Sequence, residues 1–176
     1  MLAAIRRGSY FRVFKPEWDN PLDTAFSRRF GGRWNGRETF GVVSLKATLA
    51  VAAANARNAH RDRAIGLFDL RPERRPSLLQ VNVTDHAVLD VVTTDGLRRL
   101  RLPQDFPWHV SHERCQPIGL RAYRAPGFYG IASRSAAECT QTHWVGEELA
   151  WFDRSPALRE TGRRRAFVEW YPDLIP

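Results

Sequence analysis

Strand-like and helix-like segments follow one another irregularly along this chain, and this irregular order restricts its fold more than any other feature. Residues 10–14 and 40–45 are rich in aromatic and β-branched residues, which is typical of strands. The alanine-rich stretch 46–60 strongly favours a helix. A doubly wound α/β sheet would need a regular alternation of strand and helix, which this sequence does not show. The sequence therefore predicts a mixed α+β fold, with a compact mixed sheet and short helices.

The rest of the chain adds further short elements without internal repeats. Two prolines exclude regular structure at 71–76, and a turn is predicted at Asp85-His86. Periodicity and capping residues predict helices at 22–30, 94–99 and 113–124. Further strands are predicted at 77–83, 87–92, 128–132, 148–152 and 165–170.

The length of 176 residues suits one domain, and we expect residues 1–176 to form it. A hydrophobic content of 43% supports a sizeable core and excludes a disordered chain. Two cysteines, Cys115 and Cys139, are too few for a disulfide-rich secreted protein. The sequence shows no signal peptide, and no apolar run approaches the ~20 residues that span a bilayer. We therefore expect a soluble, cytoplasmic protein with no membrane partner.

Arginine dominates the charge. The chain has 27 basic and 19 acidic residues, so its formal net charge is +8. Only two of the basic residues, Lys15 and Lys46, are lysines. Such an excess is compatible with an anionic partner, because a guanidinium pairs bidentately with phosphate and carboxylate. The basic clusters are spread along the chain and interrupted by acids, which favours a solvated surface over a nucleic-acid interface. These clusters are Arg6-Arg7, Arg28-Arg29, Arg98-Arg99 with Arg101, and Arg163-Arg164-Arg165.

The segment Phe30-Gly31-Gly32-Arg33-Trp34-Asn35 carries the clearest chemical signal. Two adjacent glycines let the backbone turn sharply or approach a ligand closely. Arg33 can clamp a phosphate, Trp34 can stack on an aromatic group, and Asn35 can orient a polar one. The combination indicates a site for a small molecule with phosphate and aromatic groups. An ordinary Gly-Gly loop with a packed tryptophan is the alternative.

This segment also resembles the most recognisable stretch of the RES domain family, the toxins of bacterial toxin–antitoxin pairs. Arg12, in the run YFRVF, stands where that family has a first-strand arginine, and residues 25–30 lead into the Gly-Gly-Arg-Trp-Asn stretch. The similarity continues in the family's order over about residues 10–170. Its further pieces are VNVTDHAVLD at 81–90, CQPIG with its Gln-x-x-Gly at 115–119, GIASRSA at 130–136 and the strand at 146–152.

The resemblance implies an ADP-ribosyltransferase-like RES fold and chemistry on NAD, which would be the substrate. Members of the family break the bond between nicotinamide and ribose, and pass the ribosyl group to phosphate, to water or to a protein. The resemblance also implies an Xre-like antitoxin as partner. It assigns the NAD phosphates to Arg33, supported by Arg12, and a ribose or phosphate oxygen to Ser135, with Ser133 as second choice.

The remaining pocket residues that the resemblance implies are Trp34, Asn35 and Phe40, with Phe40 on the nicotinamide side. Aligning Phe40 with the family's tyrosine places the family's glutamate at Val51, or at Ala52 after a shift of one. Neither side chain can stabilise the positive charge that develops on the anomeric carbon, a contribution commonly worth about 10²–10³ in rate. Carboxylates that could replace it are Glu38, Glu147 and Glu148. The simpler expectation is that activity is weakened or lost.

Three functions therefore stay open. The first is an NAD-consuming toxin, and the second is a non-catalytic nucleotide- or partner-binding module of a toxin–antitoxin system. The third and least favoured is a basic nucleic-acid-binding domain, which would need its arginines on one face.

A zinc site is a further alternative. His112-x-x-Cys115 and Cys139-x-x-x-His143 could together supply four tetrahedral ligands. Inert cysteines and surface histidines are the favoured interpretation, so no metal is expected.

Overall fold

The computed structural model describes residues 1–137, 144 and 146–171. The strands are β1 (Ala3–Phe14), β2 (Val42–Lys46), β3 (Ser77–Val91), β4 (Gly130–Arg134), β5 (Glu147–Phe152) and β6 (Glu160–Arg165). The helices are α1 (Ala25–Phe30), α2 (Leu49–Asn58), α3 (Thr94–Leu100), α4 (His112–Arg124) and α5 (Phe167–Trp170), with a 3₁₀ turn at Pro72–Arg74. The mixed α+β fold predicted from the sequence is confirmed.

The sheet closes on itself. The strand order is β1-β2-β5-β4-β3-β6, and β1 also pairs with β3, so five strands form a ring to which β6 is added. The pair β3–β4 is parallel, and the other pairs are antiparallel. At 15 residues, β3 is long enough to pair with β6 near its start and with β4 at its end.

The two faces of β5 pack against different parts of the molecule. Leu149 and Trp151 join the core formed with β1, β2 and β3, whereas Ala150 and Phe152 join the core beneath α3 and α4. This alternation follows from the two-residue period of a strand. It places Glu148 on the same face as Ala150, and Glu147 on the opposite one.

The predicted strand at 165–170 is wrong. β6 ends at Arg165, and Phe167–Trp170 form α5. Phe167 and Trp170 are both buried in one cluster with α2 and β3. Residues three apart share a face of a helix but lie on opposite faces of a strand, so burying both aromatic rings together requires the helix.

Other predicted boundaries also differ. The predicted turn at Asp85-His86 is wrong, because β3 continues through both residues. His86 pairs with Arg6 and Val83 pairs with Gly8, so β3 has one more residue than β1 at this irregularity. Lys46 ends β2 instead of starting a helix, and α2 begins after Thr48, whose side chain accepts a hydrogen bond from Val51 N. A 3₁₀ turn occupies part of 71–76, where no regular structure was predicted, since proline is tolerated in a first helical turn.

Within the described ranges, none of the helices has the length and apolar character needed to cross a membrane.

Candidate functional site

A cavity of about 360 Å³ lies where β2, β4 and β5 meet the loop that follows α1. That volume is at the lower end of the range of about 300–1,000 Å³ typical of small-molecule sites. Arg12, Arg33, Ser133 and Glu148 bring polar groups to its wall. The other lining residues are Trp18, Phe26, Ser27, Gly31, Gly32, Trp34, Asn35, Val42, Ser44, Arg134, Ala136 and Ala150.

Strand register builds the floor of this cavity. Lys46 of β2 lies opposite Glu148 of β5, which in turn lies opposite Ser133 of β4. Directly opposed residues on neighbouring strands point to the same face of a sheet. A cation, a carboxylate and a hydroxyl therefore stand in one row across three strands.

Among the residues that the structure describes, three side chains donate hydrogen bonds to Glu148. Lys46 Nζ lies 2.8 Å from Oε2, while Ser135 Oγ and Asn55 Nδ2 lie 2.8 Å and 3.1 Å from Oε1. Burial opposes ionisation of Glu148, but the charge of Lys46 and the hydrogen bonds from all three partners outweigh it, so the pKa of Glu148 lies below its usual value. Burial lowers the pKa of Lys46, and the attraction of Glu148 partly offsets that effect. Lys46 and Glu148 thus form a close, largely buried ion pair on the cavity floor.

The other two candidate carboxylates lie elsewhere. Glu147, on the opposite face of β5, receives two hydrogen bonds of 2.7 Å from the guanidinium of Arg6 and one of 3.3 Å from the hydroxyl of Tyr10. Glu38 is exposed, with a left-handed backbone (φ 55°), and does not line the cavity. Of the three, the structure brings Glu148 alone to the cavity.

Three arginines line the cavity, Arg12, Arg33 and Arg134, and the first two are those that the sequence singled out. Arg33 Nη1 donates to the carbonyl of Val110 at 3.4 Å, and a guanidinium has five N–H donors, so donors remain for an anion. Arg12 donates to the carbonyls of Pro21 (3.2 Å) and Ser44 (3.1 Å), next to the point where β1 meets β2. Burial lowers the pKa of Arg12 to about 10, which leaves it protonated at neutral pH.

The loop that carries Arg33 is shaped by its neighbours in sequence. Gly31 has a φ of 74°, a conformation that other residues rarely adopt. Asn35 is fully buried, and its amide donates to the carbonyls of Ser27 (2.7 Å) and Phe40 (2.9 Å). Trp34 is 4% exposed, with its ring 6.0 Å from that of Phe106. Although both border the cavity, Asn35 and Trp34 are used mainly to fix the loop that presents Arg33.

Replacing Asn35 by alanine should lower the free energy of unfolding by about 2–3 kcal/mol, because the carbonyls of Ser27 and Phe40 lose their donor inside the protein. Urea denaturation of the purified variant measures this loss. Thr39→Val is a suitable control, since the exposed Thr39 hydroxyl donates to the Gly36 carbonyl near the surface. An Asn35→Ala midpoint equal to that of the control would contradict the assignment.

The sequence alignment placed the family's tyrosine at Phe40 and its glutamate at Val51, but neither residue lines the cavity. Phe40 is 1% exposed in the core and stacks on Tyr123 at 4.2 Å, so it does not line the cavity on a nicotinamide side. Val51 is buried as well, beneath Gly146. The interval that separates Phe40 from Val51 also separates Ser44 from Asn55. Ser44 lines the cavity and Asn55 donates to Glu148, so a pair of residues with the same interval, four positions later in the sequence, lies at the cavity.

The two candidate serines occupy different layers. Ser133 borders the cavity, and Ser135 lies behind it, fully buried, with its hydroxyl bonded to Glu148. Ser135 is therefore placed to position Glu148, and Ser133 to meet a ligand.

An aromatic rim was not predicted from the sequence. Trp18 and Phe26 line the cavity with ring centroids 6.2 Å apart, and Phe30 follows at 4.6 Å from Phe26. Phe26 is 62% exposed and Phe30 45% exposed. The spacing of Phe26 and Phe30, four residues apart on a short helix, is the signal that could have indicated a shared face.

The proposed zinc ligands are only partly within the described residues. Cys139 and His143 lie outside them. Cys115 is buried in α4 and unpaired, and burial raises the pKa of its thiol. In the part of the chain that the structure describes, no cluster of three or more His, Cys, Asp or Glu side chains could hold a metal ion.

Known proteins match this chain in fold and in family. A chain of the M. tuberculosis MbcT–MbcA toxin–antitoxin complex has a similar fold, with a TM-score of 0.77 and 21% identity over 98% of this chain and 91% of the other. No curated protein matches significantly. The model of the RES domain family matches residues 9–168. With the match spanning most of the sequence, the chain belongs to the RES domain family.

Proposed function

We propose that this chain is the toxin of a toxin–antitoxin pair, acts on NAD in the cytoplasm, and is restrained by an Xre-like antitoxin. The observation that carries the proposal is the joint presence of Arg12, Arg33 and Glu148 around one cavity. The family membership and the fold shared with a chain of a toxin–antitoxin complex support it.

The cavity has groups for each part of a dinucleotide. Arg33 and Arg12 would bind the diphosphate, because charge-assisted hydrogen bonds from guanidinium groups are the strong ones. Trp18 and Phe26 at the rim offer a flat apolar surface for a base. Ser133 and Glu148 on the floor would meet the ribose that carries nicotinamide.

The proposed reaction is heterolytic cleavage of the bond between ribose C1′ and the nicotinamide nitrogen. The electron pair of that bond goes to nicotinamide, which leaves neutral, and a ribosyl cation forms. An oxygen nucleophile, either water, inorganic phosphate or a side chain of a target protein, then bonds to C1′ and loses its proton to solvent. Electrostatic stabilisation of the cation by a fixed negative charge is the largest contribution such a site can make.

Replacing Arg33 by alanine is expected to weaken NAD binding by about 10- to 100-fold, because one or two charge-assisted hydrogen bonds to phosphate are lost. Isothermal calorimetry with NAD measures the affinity, and nicotinamide release with and without phosphate measures turnover. Arg37→Ala is the matched control, since Arg37 is exposed in the same loop and does not line the cavity. Equal effects of the two variants would contradict the proposed site.

A non-catalytic binding module is the second candidate function. The resemblance implies a tyrosine and a glutamate, and this chain has neither at Phe40 and Val51, where the alignment places them, nor at Ser44 and Asn55 beside the cavity, which favours this alternative. It predicts NAD binding by calorimetry without nicotinamide release.

The antitoxin is proposed to contact the aromatic rim, where Phe26 and Phe30 expose large apolar surfaces beside the cavity mouth. A nucleic-acid interface is less well supported, because each basic cluster contains an arginine paired within the chain. These pairs are Arg6–Glu147, Arg7–Asp85, Arg28–Asp153, Arg98–Asp95, Arg163–Glu169 and Arg164–Glu160.

A further inference from the structure

We infer that Glu148, on β5, is the catalytic carboxylate of this chain and takes over the role that the family resemblance assigns to a glutamate on α2. The inference rests on the proposed function and names the residue that makes turnover possible without the helix glutamate. The geometry around Asn55 carries it.

Asn55 stands where α2 reaches the cavity floor. Its amide nitrogen lies 3.1 Å from Glu148 Oε1 and 3.5 Å from Ser135 Oγ, and it also donates to the carbonyl of Val51 at 3.1 Å. A glutamate at residue 55 would point its negative charge into the same place that the Glu148 carboxylate now occupies. The helix thus supplies the donor and the neighbouring strand supplies the acid, an exchange of roles between two adjacent elements.

Glu148 is also the carboxylate that a bound ligand can reach. Among the described residues that line the cavity, it is the one with an acidic side chain, and its side chain retains 22% exposure. Lys46 is 7% exposed and lies behind it. A cationic ribose at the cavity floor would therefore meet a negative charge before it meets the lysine.

The hydrogen bonds to Glu148 leave room for a substrate hydroxyl. An ionised carboxylate has about four acceptor positions on its two oxygens. Ser135 and Asn55 both bind Oε1, and Lys46 binds Oε2. As far as the described residues go, one position on Oε2 is available to a ribose hydroxyl, which would place the charge next to C1′.

Lys46 and Ser135 are positioning residues in this arrangement. They keep the carboxylate ionised and fix its orientation before substrate arrives, so no reorganisation is needed as positive charge develops. The pKa of Glu148, which lies below its usual value, agrees with this role.

Four forms of the full chain test the inference through nicotinamide release from NAD, with NAD affinity measured by calorimetry. Glu148→Gln is expected to reduce turnover by about 10²–10³-fold with little change in affinity, because it removes a charge that acts mainly on the transition state. Glu147→Gln, the neighbouring carboxylate on the opposite face of β5, is expected to match the wild type. The double variant Asn55→Glu/Glu148→Gln has its carboxylate on α2 instead of β5. Its turnover should be at least tenfold higher than that of Glu148→Gln.

The outcomes separate this inference from the proposed function. If Glu148→Gln releases nicotinamide at the wild-type rate while Arg33→Ala does not, Glu148 is not catalytic and the NAD site stands. If the wild type neither binds nor cleaves NAD, both the proposed function and the inference fail. Should Glu148→Gln fail to fold by circular dichroism, the double variant decides: folded and active supports the inference, folded and inactive overturns it.

Discussion

Replacing Lys46 by methionine is expected to lower the free energy of unfolding by about 3–5 kcal/mol, the usual cost of leaving one partner of a buried ion pair without the other. Lys46 is 7% exposed and Glu148 22% exposed, and Nζ lies 2.8 Å from Oε2, so solvent replaces the lost charge only in part. Urea denaturation at neutral pH measures the effect. Lys15→Met is the matched control, because Lys15 is exposed, and we expect it to change stability by less than about 0.5 kcal/mol.

The loss should depend on pH. In the wild type the pKa of Glu148 is lowered, so its contribution to stability is present above the unfolded value of about 4.3 and is lost as the pH falls through the folded pKa. Without Lys46, burial dominates and raises the pKa of Glu148, so the ionised carboxylate destabilises the folded state. Protonation of Glu148 at lower pH removes this destabilisation. The stability difference between wild type and Lys46→Met should therefore narrow from about pH 7 to about pH 4. A difference that stays constant over this range would contradict the assigned pair.

Replacing Gly119 by alanine is expected to destabilise the protein by about 3 kcal/mol, at the upper end of the range for overpacked sites. A Cβ at residue 119 of α4 would overlap the backbone carbonyl oxygen of Trp34, and backbone cannot move aside as a flexible side chain can. Gln116, one turn earlier on α4, donates to the carbonyl of Gly32 at 3.0 Å. Helix α4 thus contacts the loop that carries Arg33 at two points, Gly119 and Gln116.

Urea denaturation again gives the loss for Gly119→Ala, and Gly36→Ala is its control. A Cβ at Gly36 would meet Thr39 at an ordinary 3.5 Å, and Gly36 lies in the same loop. We also expect the fraction of Gly119→Ala that remains folded to bind NAD more weakly, because the shift that relieves the overlap moves Arg33. A Gly119→Ala variant as stable as Gly36→Ala would contradict the close packing of α4 against the loop.

The sequence could point to the loop that carries Arg33 because the residues that shape it are neighbours in the chain. Gly31, Arg33 and Asn35 act locally, through one turn and a few hydrogen bonds, so the residues themselves contain most of the information. The mixed fold was predictable for the same reason, since most strands and α4 have a clear hydrophobic period.

The sequence named Glu148 as one of three candidate carboxylates but could not select it from the other two. Its role depends on the register of β2 and β5 and on Asn55, which approaches from a different element. The alignment on Phe40 and Val51 can be shifted by four residues, to Ser44 and Asn55, without changing the interval between the two positions, so the sequence alone does not distinguish these alignments. The prediction of a strand at 165–170 was wrong for a related reason, because only tertiary packing makes Phe167 and Trp170 share a face.

The closed ring of strands also determines which edge of the sheet stays unpaired. Within the described residues, the ring leaves the outer side of β6 as the sheet's open margin. That margin carries Arg163, Arg164 and Arg165, and the strand is exposed along most of its length. Charged edge strands discourage pairing between sheets of separate molecules. Part of the arginine excess therefore acts against aggregation, independently of any ligand.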